Sequence, residues 1–161
     1  MSEQGRVLTD GLRSQGKKVI VYVKSDKVFT PQSIADLVAE GLVVAVKYAV
    51  VRDDPSDDEF LAELCSLIDP KMIISGIGER PAAAHFDDFG VAGFTTGSVC
   101  IAPRLSSMLL QALHAGDAAE AARIRTLFIP LEDLRDHWSP IRTSETTTRR
   151  SRPTSAAPFS T

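Results

Sequence analysis

Cysteine is scarce in this sequence: its 161 residues include two, Cys65 and Cys100. They form no CxxC pair and have no zinc-like spacing to histidine. A disulfide-stapled class and a zinc site are therefore set aside, and two buried reduced thiols are expected. Long apolar runs are also missing. Stretches such as Leu42–Val46 fall far short of the roughly 20 residues that span a bilayer, and the first residues lack the apolar core of a signal peptide. The expectation is a soluble protein of a reducing compartment, the cytoplasm, with no membrane partner. There is no basic excess either, since 18 Lys and Arg stand against 21 Asp and Glu. Residues 143–161 carry three Arg and one Glu, or +2, which leaves −5 of the net −3 on residues 1–142. A nucleic-acid surface needs clustered Lys and Arg, and this body excludes one.

Several motifs are missing as well. Gly76-Ile77-Gly78 starts like a dinucleotide fingerprint, but Pro81 occupies its third glycine position. Gly97-Ser98 lacks the GxSxG frame of a nucleophile elbow. His85-Phe86-Asp87 offers two metal donors without a third and reads as a surface helix turn. His114 and His137 add no constellation.

What remains is a soluble globular composition, 43% hydrophobic and 24% charged, of a length that suits one domain. Short β-branched runs alternate with helical stretches. Strands are expected at Lys18–Val23, Leu42–Lys47, Met72–Ser75 and, more weakly, Gly93–Thr96. Thr30 reads as the N-cap of a helix to Glu40 with Pro31 at its first position, and Gly41 ends it. Ser56-Asp57-Asp58-Glu59 fits a capping box opening a helix to about Ile68. Helices also follow from Pro81, from Pro103 to about His114, and over Ala118–Leu134, the last as one helix or a pair. Four βα units in sequence imply an α/β fold of parallel strands joined by right-handed crossovers. From Thr143 the composition shifts, with ten Ser or Thr in 19 residues, and disorder is expected.

Lys47 is the most informative residue. It ends an apolar strand, on the side of Val43 and Ala45 by the period-2 rule. Active sites of parallel α/β folds assemble at such carboxyl ends. An amine among apolar groups is costly to protonate, and a neutral lysine attacks carbonyls to form a Schiff base. The bland alternative is a solvated lysine just past a strand end. Tyr22 ends the preceding strand on the face of Ile20. Strands lie about 4.8 Å apart, so Tyr22 and Lys47 can face one small substrate. The phenol either relays protons there or is a satisfied barrel tyrosine.

The segments VIVY (19–22), VVAVK (43–47), SGIGE (75–79) and GFTTGSVCIAP (93–103) occur in an order that resembles the dihydrodipicolinate synthase / N-acetylneuraminate lyase family. GDAAEA (116–121) and PLEDLRD (130–136) are similar to that family's closing helices. The resemblance implies a class I aldolase-type lyase on a (β/α)8 TIM barrel, of which residues 17–142 would be the carboxyl-terminal half-barrel of four βα units. Residues 1–16 would be a partial helix or leader, and residues 143–161 the tail. It further implies Lys47 as Schiff-base lysine, Tyr22 as proton relay, and Gly76 and Thr95 as pocket lining. The substrate would be a 2-keto acid such as pyruvate, and no cofactor is needed. Lys27 stands where the synthases often place a substrate-binding arginine, and an arginine–lysine exchange is not conservative for a bidentate carboxylate contact. Tyr48 follows the lysine where the family is commonly acidic. A full barrel takes about 250 residues. The resemblance therefore also admits a catalytically incomplete half-barrel, either a truncated remnant or a subunit that assembles as a homo-oligomer or with an amino-terminal partner half. The tail is then either native or the product of a frame disruption.

Overall fold

The computed structural model describes residues 10–11 and 14–138. The tail beyond Thr143 lies outside them. Four strands, β1 (Val19–Val23), β2 (Val43–Tyr48), β3 (Ile73–Ser75) and β4 (Gly93–Phe94), form one parallel sheet in the order β1-β2-β3-β4. Helix α1 (Pro31–Ala39) follows β1, α2 (Glu59–Leu67) follows β2, α3 (Ala82–Phe89) follows β3, and α4 (Pro103–His114) follows β4. A longer α5 (Ala118–Trp138) closes the chain's described part as one helix, with Pro130 inside it. Sequential order with helical crossovers is the arrangement of a partial TIM barrel, as the βα alternation implies.

Local chemistry sets the helix starts. Thr30 caps α1 by accepting from Ser33 N, and Ser33 Oγ accepts in return from Thr30 N, a reciprocal box built with serine. For α2 the cap is Asp58 and not Ser56: its carboxylate accepts from Leu61 N at 3.1 Å. The Ser56 reading fails because Asp58, two residues on, also anchors groups from β2 described below.

One face of the sheet is packed and the other is open. Val21, Val23, Val43, Val46, Tyr48 and Ile73 join Ile34, Leu37, Leu61 and Leu64 in one core under α1 and α2. A second cluster, including Ala82, Leu109, Leu113, Ile124 and Phe128, ties α3 to α4 and α5. Val43 therefore lies in the helix-side core and not on the Lys47 face. The register explains this: Val19 pairs with Val43 and Ile20 with Ala45, so Val44 is an extra residue that resets the alternation.

His85 is buried, which corrects its reading as a surface turn. Its Nδ1 lies 2.8 Å from Ser75 Oγ, and its ring meets Tyr48 and Phe89 edge-on. Burial holds its pKa below the usual range, against the weaker pull of Asp58. The unfolded chain therefore takes up a proton near pH 6.5 that the folded chain refuses, so stability falls as pH drops below about 6.5. The unfolding free energy from urea titration is expected to be lower at pH 5.5 than at pH 7.5, by at most about 1.4 kcal/mol per pH unit from this group. Glu132 acts in the opposite sense, since burial raises its pKa. The informative comparison is thus with His85→Asn, which should flatten the slope. An equal slope in both proteins would assign the effect elsewhere.

Candidate active site

The carboxyl ends of the four strands surround an open cleft of about 390 Å³. Tyr22 and Lys47 are direct partners in the β1–β2 register, and Lys47 Nζ stands 4.8 Å from the centroid of the Tyr22 ring. An ammonium over a phenol face is an attractive pairing. Lys47 is half-buried, whereas Tyr22 is 52% and Ile20 59% exposed, so this face is open to solvent.

Gly76 and Thr95 both line the cleft. Gly76 N donates to Tyr48 O at 2.6 Å and Thr95 N to Ser75 O at 2.8 Å, which extends the sheet ladder one residue past β3 and β4. Lys27 is exposed and is not among the lining residues. Lys24, two residues after Tyr22, lines the cleft instead, as does Arg135 of α5. Alternation past the strand end was the available signal for Lys24. Arg135 had none, because a single basic residue on a helix reads as solvated.

The floor behind the cleft is polar and tightly held. Buried Glu79 accepts from Thr96 Oγ1 at 2.7 Å and Ser106 Oγ at 3.1 Å, joining the β3–α3 loop to the β4–α4 region. Buried Glu132 of α5 accepts from the backbone N–H groups of Glu79 and Arg80, both at 3.1 Å. Its pKa is raised by burial, countered in part by the Arg80 backbone contact. Arg80 spans to Glu132 and Asp133, so α5 is fastened beneath this loop by both backbone and side chains.

Among the described residues, no cluster of three His, Cys, Asp or Glu has metal-site geometry, and no helix is long and apolar enough to cross a membrane. Cys65 is half-buried, with burial pushing its thiol up to about 11, and Cys100 is exposed, contrary to the expectation of two buried thiols. Both are free.

No family model matches the sequence, and no curated protein does. Solved structures do match. The dihydrodipicolinate synthase from Bacillus clausii superposes with a TM-score of 0.69 and 27% identity over 81% of this chain. The chain is similar in fold to about half of a dihydrodipicolinate synthase barrel. The synthase from Oceanobacillus iheyensis agrees, with a TM-score of 0.64 and 26% identity over 74% of this chain. The half-barrel spans 43% of the first of these synthases and 38% of the second. Its open sheet face is the one carrying Tyr22 and Lys47.

Proposed function

We propose that this dihydrodipicolinate synthase-like half-barrel carries Schiff-base lyase chemistry on a 2-keto acid such as pyruvate. The observation that supports it best is the in-register pairing of Lys47 with Tyr22 at the mouth of the strand-end cleft. Lys47 Nζ, as the free amine, attacks the C2 carbonyl. The resulting carbinolamine loses water to give the protonated imine. That cation withdraws electrons from C3, so a C3 proton can leave to form an enamine, or a C3–C4 bond can break with the same electron flow. Tyr22 shuttles the protons that these steps release and consume. Gly76 and Thr95 line the space beside the imine, and Lys27 lies outside it at the position the resemblance gives to a substrate contact. The cytoplasm is the proposed location, in keeping with two free thiols.

Exposed Ile20 and Tyr22 favour a second element of this reading. We propose that a complementary set of four βα units covers the open face, from further chain, a partner half or a second copy. A sheet face that leaves Ile20 and Tyr22 uncovered drives such association. By itself the half-barrel is then catalytically incomplete.

Borohydride reduction in the presence of pyruvate tests the nucleophile. The expected result is a stable mass increment on the peptide holding Lys47, lost in Lys47→Ala. Tyr22→Phe should still form the adduct but slow its formation by about a hundredfold. A folded sample that gives no adduct, alone or mixed with a complementary amino-terminal half, would sink the proposal.

A further inference from the structure

We propose that Glu132 is a specificity residue: its carboxyl group fills a backbone anion cradle in the β3–α3 loop and so turns phosphate-bearing molecules away from that end of the cleft. This inference stands apart from the Schiff-base reading of Lys47.

The cradle comes first. Gly78 stands at φ +123 in the loop between β3 and α3, a backbone conformation that suits glycine. The next two N–H groups, of Glu79 and Arg80, converge on one atom, Glu132 Oε1, at 3.1 Å each. Successive N–H groups aimed at one place form a concavity that binds anions. A Cβ on Gly78 would lie 2.8 Å from that same oxygen, so the missing side chain is the space the oxygen uses. Helix α3 begins two residues after Arg80 with no side-chain cap of its own, and its positive amino end adds to the potential there.

The occupant is the second argument. Glu132 arrives from α5, and its side chain is fully buried. Its other oxygen, Oε2, is also buried and makes no hydrogen bond among the described residues, with Arg80 Nε 3.6 Å away. An unmatched buried oxygen is costly, so a clamp serving stability alone is poorly built this way. The charges around it are mixed. Burial raises the pKa of Glu132 most, the Arg80 backbone contact lowers it, Glu79 raises it, and the Arg135 and Arg80 charges lower it. Glu79 is itself held by the hydroxyls of Thr96 and Ser106, and Arg80 also pairs with Asp133. Removing the carboxyl therefore leaves two inward N–H donors, with both arginines near.

Position is the third argument. On the half-barrel resemblance, β3 and β4 correspond to the last two strands of a barrel, and the loops after those strands are a frequent phosphate site of TIM barrels. The cradle adjoins the cleft here. Ile77 and Arg135 line the cleft, and so does Thr96, which donates to Glu79. A phosphate group arriving along the strand ends meets a carboxyl where the donors would otherwise be open.

Inorganic phosphate and methyl phosphate, titrated into the full 161-residue chain, test this by calorimetry and by amide shifts. The parent protein and Glu132→Gln, which keeps an acceptor in the cradle, should show no saturable binding. Glu132→Ala should bind both probes at least tenfold more tightly than the parent, with the largest shifts at the Glu79 and Arg80 amides. Should Glu132→Ala be unfolded in chloride, phosphate should restore its circular dichroism. Phosphate stabilises folded proteins in general by exclusion, so the measure is the variant's gain beyond that of the parent. No saturable binding and no such rescue in Glu132→Ala would overturn the proposal, as would equal binding by the parent. Binding that leaves the Glu79 and Arg80 amides unmoved would show an adventitious ion only and overturn it too. Binding of inorganic phosphate but not of methyl phosphate would show a closed ion hole and remove the exclusion of phosphorylated substrates. No step uses Lys47, so failure here leaves the Schiff-base reading untouched.

Discussion

Gly76→Ala is expected to slow borohydride trapping at Lys47 by about tenfold to a hundredfold and to destabilise the fold by about 1–3 kcal/mol. A Cβ at position 76 would lie 2.9 Å from Lys47 Cγ, Ala49 Cβ and Tyr48 O alike. Such contacts are too short to persist, so something must move. Tyr48 O is backbone, and Ala49 Cβ is fixed to it. Neither can yield without spreading β2 from β3, which would break the 2.6 Å hydrogen bond from Gly76 N. The cheapest relief is rotation of the Lys47 stem at Cγ, and that swings Nζ away from Tyr22. Misplacing a nucleophile by about 1 Å is enough for the rate loss. Gly93→Ala provides the comparison, since a Cβ there meets nothing within 4 Å. It should stay within about 0.5 kcal/mol of the parent protein. Trapping kinetics by mass spectrometry and urea unfolding read both effects. A Gly76→Ala protein that traps at the parent rate would show that the glycine does not set the lysine's position.

The resemblance implied a glycine at position 76 lining the pocket. It did not reveal that the lysine's own stem occupies the missing Cβ. That difference runs through the whole comparison of sequence and structure. Four strands and the helices between them were legible because β-branched runs and capping residues are local signals. The pairing of Tyr22 with Lys47 was legible for the same reason, as each lies next to the end of its strand. Val44 was not, because an inserted residue in a β-branched run changes register without changing composition. Its effect was to move Val43 to the opposite side of the sheet from Lys47. His85 was misread because one histidine on a helix carries no sign of whether a buried serine on the adjacent strand faces it. Arg135 was the largest omission. It reaches the cleft through contacts with residues 57 and 58 positions earlier in the chain, Gly78 and Ile77, and no short-range pattern encodes such a distance.

Asp58→Ala is expected to cost about 2–4 kcal/mol, most of it through Tyr48. Asp58 is a fully buried side chain that joins three elements. It accepts from the Tyr48 hydroxyl at 2.6 Å, from Arg52 Nη2 at 3.2 Å, and from Leu61 N at the start of α2. These partners do not suffer equally when it is removed. Arg52 is partly exposed and keeps Asp26 at 3.1 Å, so its guanidinium can turn toward water. Losing the cap costs about 1 kcal/mol. Tyr48 is fully buried and has no such escape. Burial first, then its hydrogen bond to Asp58 and that carboxylate's charge, holds the phenol protonated well above its usual range, so it stays a donor that requires an acceptor. Leaving it unsatisfied costs about 1–3 kcal/mol. Adding Tyr48→Phe to the Asp58→Ala protein should therefore restore part of the loss, giving a coupling of about 1–2 kcal/mol in a double-mutant cycle. Additive single effects would show that the Tyr48–Asp58 bond contributes little. The consequence extends to the site, because Tyr48 is the next residue after Lys47 and points to the opposite face of β2. Its bond to Asp58 holds the carboxyl end of that strand against α2. Trapping at Lys47 in Asp58→Ala should thus slow even at temperatures where the variant remains folded, and Asp58→Asn, whose Oδ1 keeps the cap for Leu61 N while its Nδ2 can donate to the phenol oxygen, should lose less on both counts.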